Sequence, residues 1–235
     1  FKVLIQPQRE VRFVIPEGYA IRDIAREFAS IGLGSGEDFI AQATTARVSG
    51  RSVFSSIPAG HDLEGFLFPD TYRFFESASA SEVVAAMLDN FEKKIDPFTA
   101  DIAARKKSLF DIVRMASIVE REVSDVEDRA LVAGILWKRL EMNMPLQADA
   151  TLYYETGKGS RELTLDDLKN PTPYNTYTHK GLPPGPIGNP GVEAIAAAVH
   201  PEESPYLYYL SDSEGKTHYA RTFEEHKKNK IKFLR

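Results

Sequence analysis

Two glutamates stand two residues apart in Met115-Ala-Ser-Ile-Val-Glu120-Arg-Glu122, at the end of a segment with helical periodicity, and each is a possible proton donor. Rotating residues 108–123 at ~100° per residue from Phe110 sets Leu109, Ile112, Val113, Ala116, Ser117 and Val119 on one broad arc. Glu120 falls inside that arc at ~280°, between Leu109 at ~260° and Val113 at ~300°, whereas Glu122 falls at ~120° beside Asp111 on the polar side. A carboxyl group facing apolar neighbours has its charged form disfavoured. Its pKa rises, and it can stay protonated near neutral pH as a general acid. Glu120 is therefore the candidate acid, and Glu122 is expected to face the polar side. A structural ion pair with Arg114 or Arg129 also accounts for an acidic residue on an apolar arc.

Other chemistries find little support. His61, His179, His200, His218 and His226 lie far apart without a ligand spacing such as HExxH, and the chain has no cysteine, so no metal site is expected. There is no glycine-rich phosphate loop and no serine elbow, and no cofactor is called for. With 34 acidic against 29 basic residues the formal charge is -5, so no basic field attracts phosphate backbones and nucleic acid is not an expected partner. A chain that is 43% hydrophobic and 27% charged can bury a real core, and 235 residues fit one large domain or two modest ones. No apolar run approaches the ~18 to 20 residues that cross a bilayer. The sequence opens at Phe1 and reads as part of a longer chain.

Several elements must position the glutamates. Val11 to Ile15 is a strand that stops at the turn Pro16-Glu17-Gly18, and Tyr19 to Ile31 has helical spacing closed by Gly32-Leu33-Gly34. A second short helix follows around Glu37 to Thr44, and residues 45–60 read as an exit loop, which puts a boundary near residue 60. Further helices are expected over Ser81 to Lys94, Ser108 to Val123 and Glu127 to Met142, with a short turn of helix after Thr164. Pro171 to Gly191 holds six of the fourteen prolines and is a long, stiff loop. An alanine-rich helix, Val192 to Val199, comes next. Tyr206 to Leu210 and His218 to Ala220 then form a hairpin about Asp212 to Gly215, and Thr222 to Glu225 is a capping box that opens a last helix. The fold class is α+β: a small strand-helix-helix module over residues 1–60, then a mostly helical domain with a β-hairpin over residues 61–235.

Five ordered blocks carry a resemblance. They are Glu64-Gly-Phe-Leu-Phe-Pro69-Asp-Thr-Tyr72; Met115 to Glu122; Met144-Pro-Leu-Gln147-Ala-Asp149-Ala-Thr151; Pro173-Tyr-Asn-Thr-Tyr177 with Gly181-Leu-Pro-Pro-Gly185-Pro-Ile187 and Asn189-Pro-Gly191; and His200-Pro201. Together they resemble the YceG-like (MltG) endolytic murein transglycosylases. The resemblance implies a LysM-like N-terminal module, a lysozyme-like catalytic domain, and Glu120 as the catalytic residue. It also implies a bacterial enzyme held in the inner membrane by a single N-terminal anchor, with its catalytic part on the periplasmic side. Its substrate would be the glycan strands of peptidoglycan, and its candidate partners the peptidoglycan synthases.

Such enzymes cut between N-acetylmuramic acid and N-acetylglucosamine and leave 1,6-anhydro ends, in a role that can terminate glycan elongation. Gln147, Asp149, Tyr174, Asn175 and Tyr177 are the candidate substrate-binding residues. Gln147 and Asp149 have bracing of the loop after Pro145 as an alternative, and Asn175 has a hydrogen bond to its own backbone. Two rival functions stay open: a non-catalytic glycan-binding or scaffolding protein, and a hydrolytic muramidase with Asp149 or Glu122 as a second carboxylate.

Overall fold

The computed structural model describes residues 9–158 and 162–234, so the first eight residues of the expected N-terminal module lie outside the described residues. Strand β1 (Glu10–Val14) ends at the expected turn, where Gly18 takes a φ of 77°. Helix α1 (Ile21–Ser30) buries Ile21, Ile24, Ala25 and Phe28, and α2 (Gly36–Gln42) packs on it, with the Ser35 hydroxyl accepting from the Asp38 amide at 3.1 Å. The hydroxyl satisfies one of the amides that a helix start leaves without a partner.

The partner of β1 is β2 (Thr71–Phe75), antiparallel in the register Glu10↔Phe75 to Val14↔Thr71. A boundary near residue 60 therefore cuts through this unit. It is a strand-helix-helix-strand arrangement closed only by β2, beyond the exit loop. Thr-Tyr-Arg-Phe alternates polar and aromatic residues in step with its exposed and half-buried positions, but the strand is short and buries neither face fully, so its signal is weak.

Helix α3 (Ala80–Ile95) opens on a reciprocal Ser79 and Glu82 cap, and the short α4 (Thr99–Ala104), not expected from the sequence, follows Pro97. Helix α5 (Leu109–Glu122), capped by Ser108, is the central element: Ile112, Val113, Met115, Ala116, Ile118 and Val119 are all fully buried. It packs against α6 (Val126–Glu141), which Asp125 caps. Next comes α7 (Asp149–Thr156), a second helix not expected from the sequence, which ends at Gly157 in the left-handed region. The remaining helices are α8 (Leu165–Lys169), α9 (Val192–Val199) and α10 (Phe223–Phe233), with the hairpin β3 (Tyr208–Ser211) and β4 (Thr217–Ala220) between the last two.

Helix α9 lies against both α5 and α6, and the Trp137 indole N–H donates to the Ala198 carbonyl at 3.0 Å. Two small antiparallel sheets on a mainly helical body make the class α+β. Asn189 pins the two parts of the chain together. Its amide donates to Tyr19 O at 2.9 Å, its carbonyl accepts from Gly18 N at 2.8 Å, and its side-chain oxygen accepts from Leu67 N at 2.8 Å. Among the described residues no helix is long and apolar enough to cross a membrane.

Candidate active site

The last turn of α5 sends its two glutamates into different surroundings. Glu120 is buried as the rotation predicts, its side chain 5% exposed, but it lies in an ion pair. Arg129 Nη2 donates to Oε1 at 2.7 Å and Nη1 to Oε2 at 3.4 Å, while Gly191 N donates to Oε2 at 3.0 Å. Burial pushes the Glu120 pKa up, and the Gly191 amide and the Arg129 charge oppose it. Both oxygens are occupied by donors, two of them on a cation, which is the ion-pair alternative for this residue.

Glu122 does not face solvent, so the expectation that it would point to the polar side is corrected. Its Oε1 accepts from Ala150 N at 3.2 Å, at the start of α7, and its Oε2 accepts from the Tyr209 hydroxyl of β3 at 3.0 Å. Burial raises its pKa to about 7, and the negative charge of Asp149 adds to the rise. A helical wheel assigns faces relative to one core. Here α7 and the hairpin form a second layer over the face that the wheel leaves to water. Each oxygen of Glu122 receives one neutral donor and no cation in direct contact, which leaves room on the carboxyl for a proton.

Three of the five binding candidates gather around Glu122. Asp149 opens α7 and accepts from the Tyr177 hydroxyl at 2.5 Å. Gln147 Oε1 accepts from Arg139 Nη2 at 2.6 Å, and Gln147 N donates to Thr176 O at 3.1 Å. Tyr177 feels the charge of both Asp149 and Glu122, which with burial raises its pKa. Tyr174 turns elsewhere, to a ring contact with Tyr154 at 5.2 Å.

Asn175 is corrected as a sugar contact. It is 0% exposed, and its Nδ2 donates to the carbonyls of Leu168 at 3.1 Å and Asn170 at 2.6 Å. Its Oδ1 accepts from Tyr177 N at 2.9 Å. Both –NH2 hydrogens of this amide are spent near the end of α8, and its complete burial closes it to a ligand. The stiff loop runs along α5: Arg114 Nη1 donates to Pro183 O at 2.8 Å and Ile187 N to the Ser117 hydroxyl at 3.0 Å.

Sequence reasoning passed over three residues of this region. Arg139 carries no motif and sits on the buried side of α6. Tyr209 lies in Tyr206-Leu-Tyr-Tyr209, a hairpin strand whose alternating aromatics suit core packing or sugar stacking and do not mark its hydroxyl. Glu64 lies within a resemblance block without its carboxyl having been singled out. It is buried and accepts from Ile21 N at 3.1 Å, Asn189 Nδ2 at 3.0 Å and the Tyr154 hydroxyl at 3.2 Å, and burial takes its pKa to about 8. Separately, a cleft of about 650 Å³ opens between α1 and the end of α5, lined by Glu17, Tyr19, Asp23, Glu27, Glu120 and Arg121, among others.

Fold and site together define an α+β protein whose central buried helix ends in an enclosed carboxylic acid, ringed by a tyrosine-rich hairpin and a short capping helix. The sequence matches the YceG-like family over residues 1–232, and the chain belongs to that family. It is 37% identical over 175 residues to an endolytic murein transglycosylase of Bacillus subtilis strain 168, covering 74% of this chain and 49% of that protein. It is 32% identical to an endolytic murein transglycosylase of Streptococcus pneumoniae strain D39, covering 95% of this chain and 45% of that protein. The chain thus spans about half the length of these curated relatives. The crystal structure of a YceG-like protein from Listeria monocytogenes superposes with a TM-score of 0.84 at 32% identity, covering 92% of this chain and 75% of that one.

Proposed function

We propose that this chain cleaves the glycan strands of peptidoglycan by endolytic transglycosylation, with Glu122 as the acid and then the base. The observation that carries the reading is the enclosure of Glu122 by neutral donors beside Asp149, Tyr177 and Gln147. A carboxyl in that setting holds a proton near neutral pH and can release it. The names of the relatives support the substrate and the reaction type.

In the reaction, Glu122 gives its proton to the glycosidic oxygen between N-acetylmuramic acid and N-acetylglucosamine as the bond to C1 breaks. The resulting carboxylate takes the proton of the muramic C6 hydroxyl as that oxygen bonds to C1. The products are a 1,6-anhydro end and a free 4-hydroxyl, no water is consumed, and Glu122 returns to its protonated form. One carboxyl suffices because the nucleophile belongs to the substrate, whereas a hydrolase needs a second group to activate or replace water.

A second reading keeps Glu120 as the acid, favoured by its position on the wall of the 650 Å³ cleft. Against it stands the Arg129 pair, which favours the ionised form. The LysM-like role of the strand-helix-helix-strand unit as a glycan grip rests on the order of its elements. The inner-membrane anchor, the periplasmic location and the synthase partners rest on the family resemblance.

Mass spectrometry of digested peptidoglycan tests the proposal. It expects new 1,6-anhydro ends from the wild type and none from Glu122→Gln. New reducing ends would mean a hydrolase, no new ends a binding or scaffolding protein, and unimpaired cleavage by Glu122→Gln would return the role to Glu120.

A further inference from the structure

Gln147 is an exposed residue in a backbone conformation that side chains other than glycine seldom adopt, with φ at 53°. The two other non-glycine residues of positive φ among those described, Lys106 and Asn143, follow helix ends, where such turns are common. Gln147 instead stands just before α7, and left-handed strain of this kind persists only where the surroundings impose it. Here two contacts do so: the Gln147 amide donates to Thr176 O, and its side-chain oxygen is held by Arg139.

Arg139 is built to hold it. The residue is 5% exposed, its guanidinium lies 5.5 Å over the Tyr208 ring, and its Nε has no hydrogen-bond partner. A guanidinium only donates, so the end of the Gln147 amide that faces it must be the oxygen. The –NH2 end then points away from Arg139, and no protein acceptor among the described residues takes it. The result is a pair of fixed N–H donors on an exposed side chain. The Gln147 backbone is bonded to Thr176, and Arg139, which holds the side chain, feels the charges of Tyr177 and Glu122, so the residue belongs to the same cluster as Glu122.

We infer that Arg139 is a positioning residue that fixes the polarity of the Gln147 amide, and that the outward Gln147 –NH2 donates to the acetamido carbonyl oxygen of a sugar bound at Glu122. The inference rests on the proposed glycan cleavage and adds to it the group that is recognised. An N-acetyl carbonyl is a strong acceptor that an amide N–H matches, whereas the ammonium left by N-deacetylation is a donor and meets two N–H groups with none to accept. The site thereby favours N-acetylated over deacetylated glycan.

The experiment uses the intact protein with glycan strands and with the same strands partly N-deacetylated. Preference is read as the ratio of KM values during cleavage, and as the ratio of Kd values for uncleaved strands in the Glu122→Gln background. Gln147→Glu keeps the Arg139 contact and the size of the side chain but removes both donors. It is expected to hold its melting temperature while the affinity for acetylated strands falls about tenfold, the effect of one lost ligand hydrogen bond. Arg139→Lys should lose most of the same preference, and Gln147→Ala added to it should cost little more.

Wild-type affinity and preference in Gln147→Glu would overturn the inference, as would strictly additive losses in the double variant. So would the absence of measurable binding by the wild type. Failure of the Glu122 assignment shows separately, as cleavage that survives Glu122→Gln while Gln147→Glu still loses its preference.

Discussion

The Tyr209 hydroxyl donates to Glu122 Oε2 at 3.0 Å, joining the hairpin to the end of α5 across 87 residues of sequence. That one bond closes the side of the carboxyl that a lone helix would leave in water. It also separates the chemistry of Glu122 from that of Glu120, two residues earlier and paired with Arg129.

The two glutamates should respond differently to loss of charge. Glu122→Gln is expected to cut the cleavage rate by about 10²-fold to 10⁴-fold, the usual worth of a general acid-base group, with little change in stability. Glu120→Gln leaves a buried guanidinium short of its partner and should cost about 3 to 5 kcal/mol of folding stability. Urea denaturation and initial rates measured on both variants check this, and a stable but inactive Glu120→Gln would reverse the assignment.

Activity should fall as pH rises through about 7, because the acid must carry a proton and the Glu122 pKa lies there. The Tyr209 hydroxyl stabilises the ionised form and so holds that pKa down. Tyr209→Phe is therefore expected to move the alkaline limb of the kcat/KM profile to higher pH. A limb that stays in place or moves down would show that another group controls it.

Glu64 gives a signature in stability. Its folded pKa of about 8 lies above the ordinary value of 4.5, so the native state binds more protons than the unfolded chain between those pH values. Its contribution is fully present below about pH 4.5 and is lost as pH rises through about 8. The urea midpoint of the wild type should decline over that window relative to Glu64→Gln, which cannot ionise. Parallel curves for the two proteins would place the Glu64 titration elsewhere.

Asn175→Ala should act on folding. The side chain bridges the end of α8 to Tyr177 N without touching solvent, and its removal strands buried carbonyls and an amide. A loss of about 1 to 3 kcal/mol is expected for such unpaired groups, with KM per folded molecule little changed. Thermal melts alongside glycan titrations distinguish this from a direct sugar contact, for which KM would move first.

Gly65→Ala should be among the more damaging small changes. Gly65 has a φ of 88°, and a Cβ there would stand 2.6 Å from Val113 Cγ1 on α5 and 2.7 Å from Pro186 in the stiff loop. Overpacking costs about 1 to 3 kcal/mol, and the left-handed backbone adds roughly 1 to 2 kcal/mol more. The expected readout is a large drop in melting temperature, and a change of a degree or less would mean that α5 and the loop can move apart freely.

Local signals determine much of this protein without any tertiary contact. Helical spacing marked α1, α3, α5 and α6, the Thr222 to Glu225 capping box marked α10, and the prolines marked the stiff loop, because each is written within a few residues of chain. The same spacing put Glu120 in the core, where α5 does hold it. What it did not hold was the second layer.

Strand β2 is defined by its register with β1, some sixty residues away, and its own residues alternate between exposed and half-buried. Helix α7 is short and anchored from outside, by Thr176 at Ala148 N and by Glu122 at Ala150 N. The environment of Glu122 is set by α7 and β3, that of Asn175 by the end of α8, and the direction of the Gln147 amide by a buried arginine on α6. Periodicity reports which face of a helix meets a core, since that depends on the helix alone. Which carboxyl is enclosed by neutral donors and which by a cation depends on partners distant in sequence, and only the tertiary structure decided it.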